Sequence, residues 1–85
     1  MSCSEEKELL NKAIHFAINN SWDACHKIVQ DLHSADAYWI HAVLHKIEGD
    51  EFNSRYWYER AGRPYDAFDN PKKELLFISK IFIKE

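Results

Sequence analysis

Three polar side chains of this sequence are spaced so that they could bind a metal ion together. His41, His45 and Glu48 follow one another at helical intervals, which places them on one strip of a helix. Two histidines four residues apart can chelate one ion, and a carboxylate can supply a third ligand. His26 joins them if its own helix packs antiparallel to theirs. We expect no cofactor. If the chain binds one, a divalent metal ion on this strip is the candidate.

The same histidines have a simpler interpretation as half-buried core residues, hydrogen-bonded to Asp23, Glu48 or Tyr58. A third interpretation makes the histidine pair a general base beside Glu48 or Asp50. No activated nucleophile accompanies them, because Cys25 falls on the apolar face of its helix and is expected to be buried. The HExxH motif is absent, since Ala42 follows His41. Whether the chain is an enzyme therefore stays open.

Further polar candidates lie on the helix that follows the histidine strip. Asn53 belongs to its first turn, where Asp50 is the expected cap. Arg60 and Arg63 lie near its C-terminal end, where the helix dipole favours cations and where they could pair with acidic groups of a partner. The full set of candidate ligand-binding residues is His26, His41, His45, Glu48, Asn53, Arg60 and Arg63.

Apolar periodicity predicts five helices that must position these residues. The first spans 4–19 with a capping box from Ser2 and Glu5, the second spans 22–32, and the third is capped by Ser34 or Asp36 and ends near residue 48. The fourth spans 51–61, and the fifth runs from 72 towards 84 behind Asn-Pro. The third is apolar nearly all round, which indicates a central helix. The fifth helix has a wide apolar surface that either roofs the others or forms a homodimer, and we expect one side to roof them and the remainder to contact a second copy.

Composition limits the class of protein. Eighty-five residues suffice for one domain, 1–85, and two Gly with two Pro are too few for a many-stranded fold. The formal net charge of −3 argues against nucleic-acid binding. No apolar stretch is long enough to span a membrane, and no apolar signal core is present, so we expect a cytoplasmic protein without membrane attachment.

Residues 37–61 resemble one tetratricopeptide-type helical hairpin. Ala42 is the small residue half-way along the first helix, and Gly49-Asp50 form the turn. Ser54, Tyr58 and Ala61 follow at the spacing of the small, aromatic and alanine positions of the second helix. The resemblance implies an all-α fold in which two antiparallel helical hairpins stack as tetratricopeptide repeats do, with a C-terminal capping helix.

The strings WDACHKIVQ and YWIHAVLHKIEGDEFNSRYWYERAGR are similar to a family of small all-helical proteins. That resemblance implies no particular activity, but it draws attention to the polar members of the two strings. Eight of the twelve aromatic residues fall between Tyr38 and Phe68, and so small a domain could leave some of them exposed for binding. We therefore predict a protein-interaction module that uses helices three and four. The alternative is a metal- or small-ligand-binding protein, catalytic or not, centred on His41, His45 and Glu48.

Overall fold

In a computed structural model, which describes residues 3–83, the chain forms five α-helices and one short 3-10 helix. The α-helices are α1 Cys3–Ile18, α2 Trp22–Val29, α3 Ala35–Ile47, α4 Glu51–Ala61 and α5 Pro71–Ile83, and the 3-10 helix is Tyr65–Ala67. Within residues 3–83 no strand occurs, so the predicted all-α class with five helices is confirmed. The tetratricopeptide-like stacking stays a prediction.

Polar side chains begin α3 and α4 by accepting backbone N–H groups that have no partner within the helix. Ser34 caps α3, because its Oγ accepts the N–H of Ala37 at 3.2 Å, which decides between the two predicted caps. Asp50 caps α4 as predicted, and its Oδ1 accepts the N–H of Asn53 at 3.2 Å. These caps fix the first residue of each helix that flanks the turn between α3 and α4.

Residues with a positive φ end α3 and α4. Gly49 has φ +80° and Gly62 has φ +70°, values that cost glycine no steric strain. After α3, the N–H of Asp50 donates to the carbonyl of His45 at 2.9 Å, which completes a Schellman turn. The chain therefore reverses sharply between α3 and α4, so that the two helices can pack side by side.

The second helix is shorter than its apolar pattern predicts. It ends at Val29 rather than Leu32, because the next backbone bonds connect residues three apart instead of four. The N–H of Leu32 donates to the carbonyl of Val29 at 3.1 Å, which tightens the chain into a turn. Leu32 is still buried, and for this reason the apolar pattern continues past the end of the helix.

The start of α5 follows the predicted signal. Asn70 Oδ1 accepts the N–H of Lys72 at 2.9 Å, and Pro71 occupies the first helical position, where no N–H donor is needed. The predicted capping box of Ser2 with Glu5, and the extension of the last helix to Lys84, lie outside the described residues.

The third helix is the centre of the molecule, as its nearly continuous apolar surface predicts. It packs against α1, α2, α4 and α5. Between α3 and α4 the backbones approach closely, and Ser54 Oγ donates to the carbonyl of Ala42 at 2.7 Å. The buried residues of α3 are Ala37, Trp39, Ile40, His41, Ala42, Val43 and Leu44.

The C-terminal helix covers α1 and α3 with one face. Leu75 and Ile78 are fully buried there, whereas the side chains of Leu76 and Phe77 remain 51% and 44% exposed. Along the part of the chain that the structure describes, no helix is both long enough and apolar enough to cross a bilayer.

Candidate metal centre

Three histidines meet where α2 and α3 pack together. His26 lies on α2, and His41 and His45 lie one turn apart on α3. The Nε2 atoms of His26 and His41 are 3.2 Å apart, and one nitrogen from each of the three rings can be chosen so that all lie within 4.8 Å of one another. This histidine cluster contains two of the three predicted metal ligands.

Helix packing holds the rings of the histidine cluster in place. The ring of His41 is buried and stacks on the indole of Trp57, with centroids 4.1 Å apart and planes 14° from parallel. His45 stacks on the other side of His41 at 5.0 Å, and His26 meets His41 edge-on at 4.7 Å. The three side chains are thus oriented before any ligand binds.

Burial makes His41 a neutral imidazole near neutral pH. Burial, and after it the electrostatic effect of His26 and His45, lowers the pKa of His41 from 6.5 to about 4. A neutral ring presents a nitrogen lone pair, which is the form that binds a metal. In the metal-free chain the 3.2 Å contact is a hydrogen bond, in which one Nε2 donates and the other accepts.

The Asp50 carboxylate lies behind His45. The Nδ1 atom of His45 is buried and 3.7 Å from Asp50 Oδ2, too long for a hydrogen bond, and no described group bonds to this nitrogen. Asn53 fixes the carboxylate, since its side-chain amide donates to Oδ2 at 2.7 Å. Hydrogen bonds from the side chain and then the backbone N–H of Asn53 lower the pKa of Asp50, which keeps it an anion.

The structure does not bring Glu48 into the histidine cluster, although the helical spacing predicted it as the third metal ligand. Glu48 is the exposed C-cap residue of α3. The third member of the cluster is His26, which the sequence analysis expected to approach if its helix packed antiparallel to α3. The simpler interpretation agrees with the burial of the histidines, since His41 is buried and His26 and His45 are half-buried. Of its three expected hydrogen-bond partners, Tyr58 donates to Glu74 instead.

The remaining predicted residues are not members of the histidine cluster. Asn53 donates its backbone N–H and its side-chain amide to the carboxylate of Asp50, the N-cap residue of α4. The guanidinium of Arg60 lies 5.4–5.7 Å from the centroids of three aromatic rings, those of Tyr38, Tyr56 and Trp57. The guanidinium of Arg63 lies 3.9 Å from the centroid of the Trp39 ring, away from the histidines.

Sequence reasoning missed a buried carboxylate. Glu74 of α5 is 1% exposed, and its Oε2 accepts the indole N–H of Trp39 at 2.8 Å. The Tyr58 hydroxyl donates to Oε2 at 2.6 Å, and the Lys46 ammonium donates to Oε1 at 3.0 Å. One feature of the sequence could have predicted its burial: Glu74 stands next to Leu75 in an otherwise apolar stripe of the helix.

Lys46 binds the loop before α5 as well as Glu74. Its Nζ donates to the carbonyls of Tyr65 at 2.9 Å and Phe68 at 3.1 Å. With the bond to Glu74, all three donors of the ammonium are used. Because its polar groups bond one another, this cluster serves to attach α5 and the preceding loop to α3 and α4.

Cys25 is buried and has no disulfide partner among the described residues, in agreement with the expectation of a small apolar core residue. Burial raises the pKa of its thiol to about 12, so the reactive thiolate is not formed near neutral pH. The chain matches no protein-family model, no curated protein and no solved structure.

Proposed function

We propose that this chain binds one divalent transition-metal ion through His26, His41 and His45. The observation that carries the proposal is the 3.2 Å separation of the His26 and His41 Nε2 atoms. Two nitrogens bound to one tetrahedral zinc, each about 2.0–2.1 Å from the metal, lie about 3.4 Å apart. The pair is therefore already at ligand spacing, and His45 needs only a small side-chain adjustment to join it.

Asp50 supports the proposed site from behind. A metal-bound histidine commonly donates its second ring N–H to a carboxylate, which orients the ring. Binding of the metal through Nε2 of His45 puts the proton on Nδ1, which faces Asp50 Oδ2 at 3.7 Å. A small shift of either side chain closes this distance to a hydrogen bond, satisfies the buried nitrogen and strengthens the ligand.

Three protein ligands leave one tetrahedral position for water or for an added ligand, the arrangement of catalytic rather than structural zinc sites. Imidazole ligands suit zinc, nickel, copper and iron. We therefore propose a metal site whose fourth coordination position is open to a small ligand. The sequence predicts that the protein is cytoplasmic. The proposal includes no assigned reaction.

Thermal unfolding with added metal tests the proposal. A ligand that binds only the folded state stabilises it, by about 2.7 kcal/mol at a hundredfold excess over Kd. For a domain of this size we expect zinc to raise Tm by about 10 °C or more. His26→Ala and His45→Ala, at half-buried positions, remove the effect. The exposed His15→Ala is the matched control and keeps it.

His41→Gln is the second variant at the buried position, because its amide retains hydrogen-bonding capacity where alanine would leave a cavity. An equal rise of Tm in the parent and in every variant of the histidine cluster would mean that the metal binds elsewhere. No rise in the parent with zinc, nickel or cobalt ends the proposal.

The interaction module is the second candidate function, and the exposure of Phe52 favours it. The Phe52 side chain is 83% exposed, and Tyr56, one turn later on α4, is 49% exposed. Together they form an apolar surface of the kind that binds a protein partner. A pull-down from the native cell extract tests this surface. Phe52→Ser should lose the partner that the parent recovers, whereas the control Glu59→Ser, on the same helix, should keep it.

A further inference from the structure

The rings of Tyr38, Tyr56 and Trp57, together with His41, line a cavity of about 140 Å³. The polar side chains of Gln30, His33 and Arg60 also line it. We propose that this aromatic pocket binds a small planar carboxylate with a single ring. The inference concerns a second site and does not depend on metal binding.

The size of the aromatic pocket sets the size of the ligand. A cavity of about 150 Å³ in a protein core accommodates one benzene molecule. At about 140 Å³, this pocket has room for one six-membered ring. Aromatic walls favour a flat occupant, because a ring gains offset-stacked or edge-to-face contacts that a saturated ring does not.

The charge of the lining selects an anion. Arg60 is the permanent cation among the described residues that line the pocket, and none of those residues is acidic. Gln30, Tyr38 and His33 add side chains that can donate hydrogen bonds. One fixed positive charge matches a monoanion such as a carboxylate.

The orientation of Arg60 suits a carboxylate in particular. Its guanidinium lies against the rings of Tyr38, Tyr56 and Trp57, with centroids 5.4, 5.5 and 5.7 Å away. These contacts restrict the side chain, and its one hydrogen bond to a described residue, from Nη1 to the Tyr56 hydroxyl, is long at 3.4 Å. The guanidinium thus keeps N–H donors to form the paired bonds that fit a planar carboxylate.

Benzoate is the probe, and metal-free protein is the sample, so that failure of the metal site leaves this test intact. The readout is the movement of the Trp57 indole and Arg60 side-chain N–H signals in NMR spectra. We expect saturable shifts with a Kd on the order of 1 mM. Benzyl alcohol, which is neutral, and acetate, which has no ring, should each bind at least tenfold more weakly.

Variants locate the site. Arg60→Gln should weaken benzoate binding at least tenfold, and Arg60→Lys should give an intermediate loss, because it keeps the charge without the planar fork. Arg63→Gln is the matched control, since Arg63 also stacks on an indole, that of Trp39, but lies outside the pocket. Equal binding of benzoate and benzyl alcohol, unchanged affinity in Arg60→Gln, or the absence of saturable shifts would overturn the inference.

Discussion

At the scale of single residues, His41 has the contacts that most influence the chemistry of the chain. It approaches His26 through Nε2, stacks on His45 and Trp57, and lines the aromatic pocket. Burial keeps it neutral, since its pKa is lowered to about 4. The proposed metal site and the proposed carboxylate site thus share His41.

Glu74 is a buried carboxylate that pairs with the Lys46 ammonium. Glu74→Leu would leave Lys46, whose side chain is only 9% exposed, as an uncompensated buried cation. We expect a loss of about 3–5 kcal/mol in the free energy of unfolding, measured by urea denaturation. Glu51→Leu is the control, because it removes the exposed pair with Arg55 and should cost less than about 1 kcal/mol. Similar losses in both variants would contradict this role for Glu74.

Because of Tyr58, the free energy of unfolding should depend on pH in the alkaline range. Burial raises the pKa of its hydroxyl well above the usual 10, and the hydrogen bond to Glu74 and the charge of Glu74 raise it further. The unfolded chain loses this proton from about pH 10 while the folded chain retains it, so the free energy of unfolding falls as pH rises above 10.

Urea denaturation between pH 9 and 11 measures this slope. Tyr58→Phe is less stable at pH 9, because Glu74 loses a hydrogen bond, but its stability should decline less steeply above pH 10. Tyr56→Phe, at an exposed position, is the control and should keep the slope of the parent. Identical slopes in the parent and Tyr58→Phe would show that the buried hydroxyl does not produce the effect.

At the scale of helices, apolar periodicity and capping residues were enough to predict all five elements. The end of α2 was misplaced because Leu32 is buried from a turn rather than from a helix. The choice of His26 over Glu48 in the histidine cluster could not be predicted, since it depends on how α2 and α3 pack. Periodicity along α3 alone does not contain that information.

The turn at Gly49 is a test of the α3–α4 junction. A Cβ at this position meets no atom within 4 Å, so a substitution is penalised by the φ of +80° and not by crowding. We expect Gly49→Val to lower the free energy of unfolding by roughly 1–2 kcal/mol or more, and Gly49→Asn to cost less, because asparagine tolerates this region. Equal stability of the two variants, measured by urea denaturation, would contradict the turn geometry.

The outer face of α5 is where the sequence predicts contact with a second copy of the chain. Leu76 and Phe77 expose apolar surface there, while Leu75 and Ile78 face the core. Light scattering at high protein concentration should give about twice the chain mass of 10.1 kDa, and Leu76→Glu should restore the monomer mass. Lys73→Glu changes charge on the same helix as a control. A monomer mass for the parent would contradict this use of α5.

At the scale of the whole molecule, α3 joins the three clusters of polar residues. It contributes His41 and His45 to the histidine cluster, Tyr38 to the aromatic pocket, and Trp39 with Lys46 to the bonds around Glu74. A central helix has several neighbours, and each of these clusters forms where α3 packs against a different set of them. The all-α class with five helices was predictable from the sequence, whereas the residues that make up each cluster depend on how the helices pack.

The most direct test of the metal proposal is a crystal structure of the zinc-loaded protein with anomalous data at the zinc edge. The histidine cluster should show one anomalous peak, about 2.0–2.1 Å from a nitrogen of each of His26, His41 and His45. The Nδ1 of His45 should have closed to hydrogen-bond distance of Asp50. A peak that involves fewer than these three histidines, or that lies at Glu48, or no peak at all, would contradict the account.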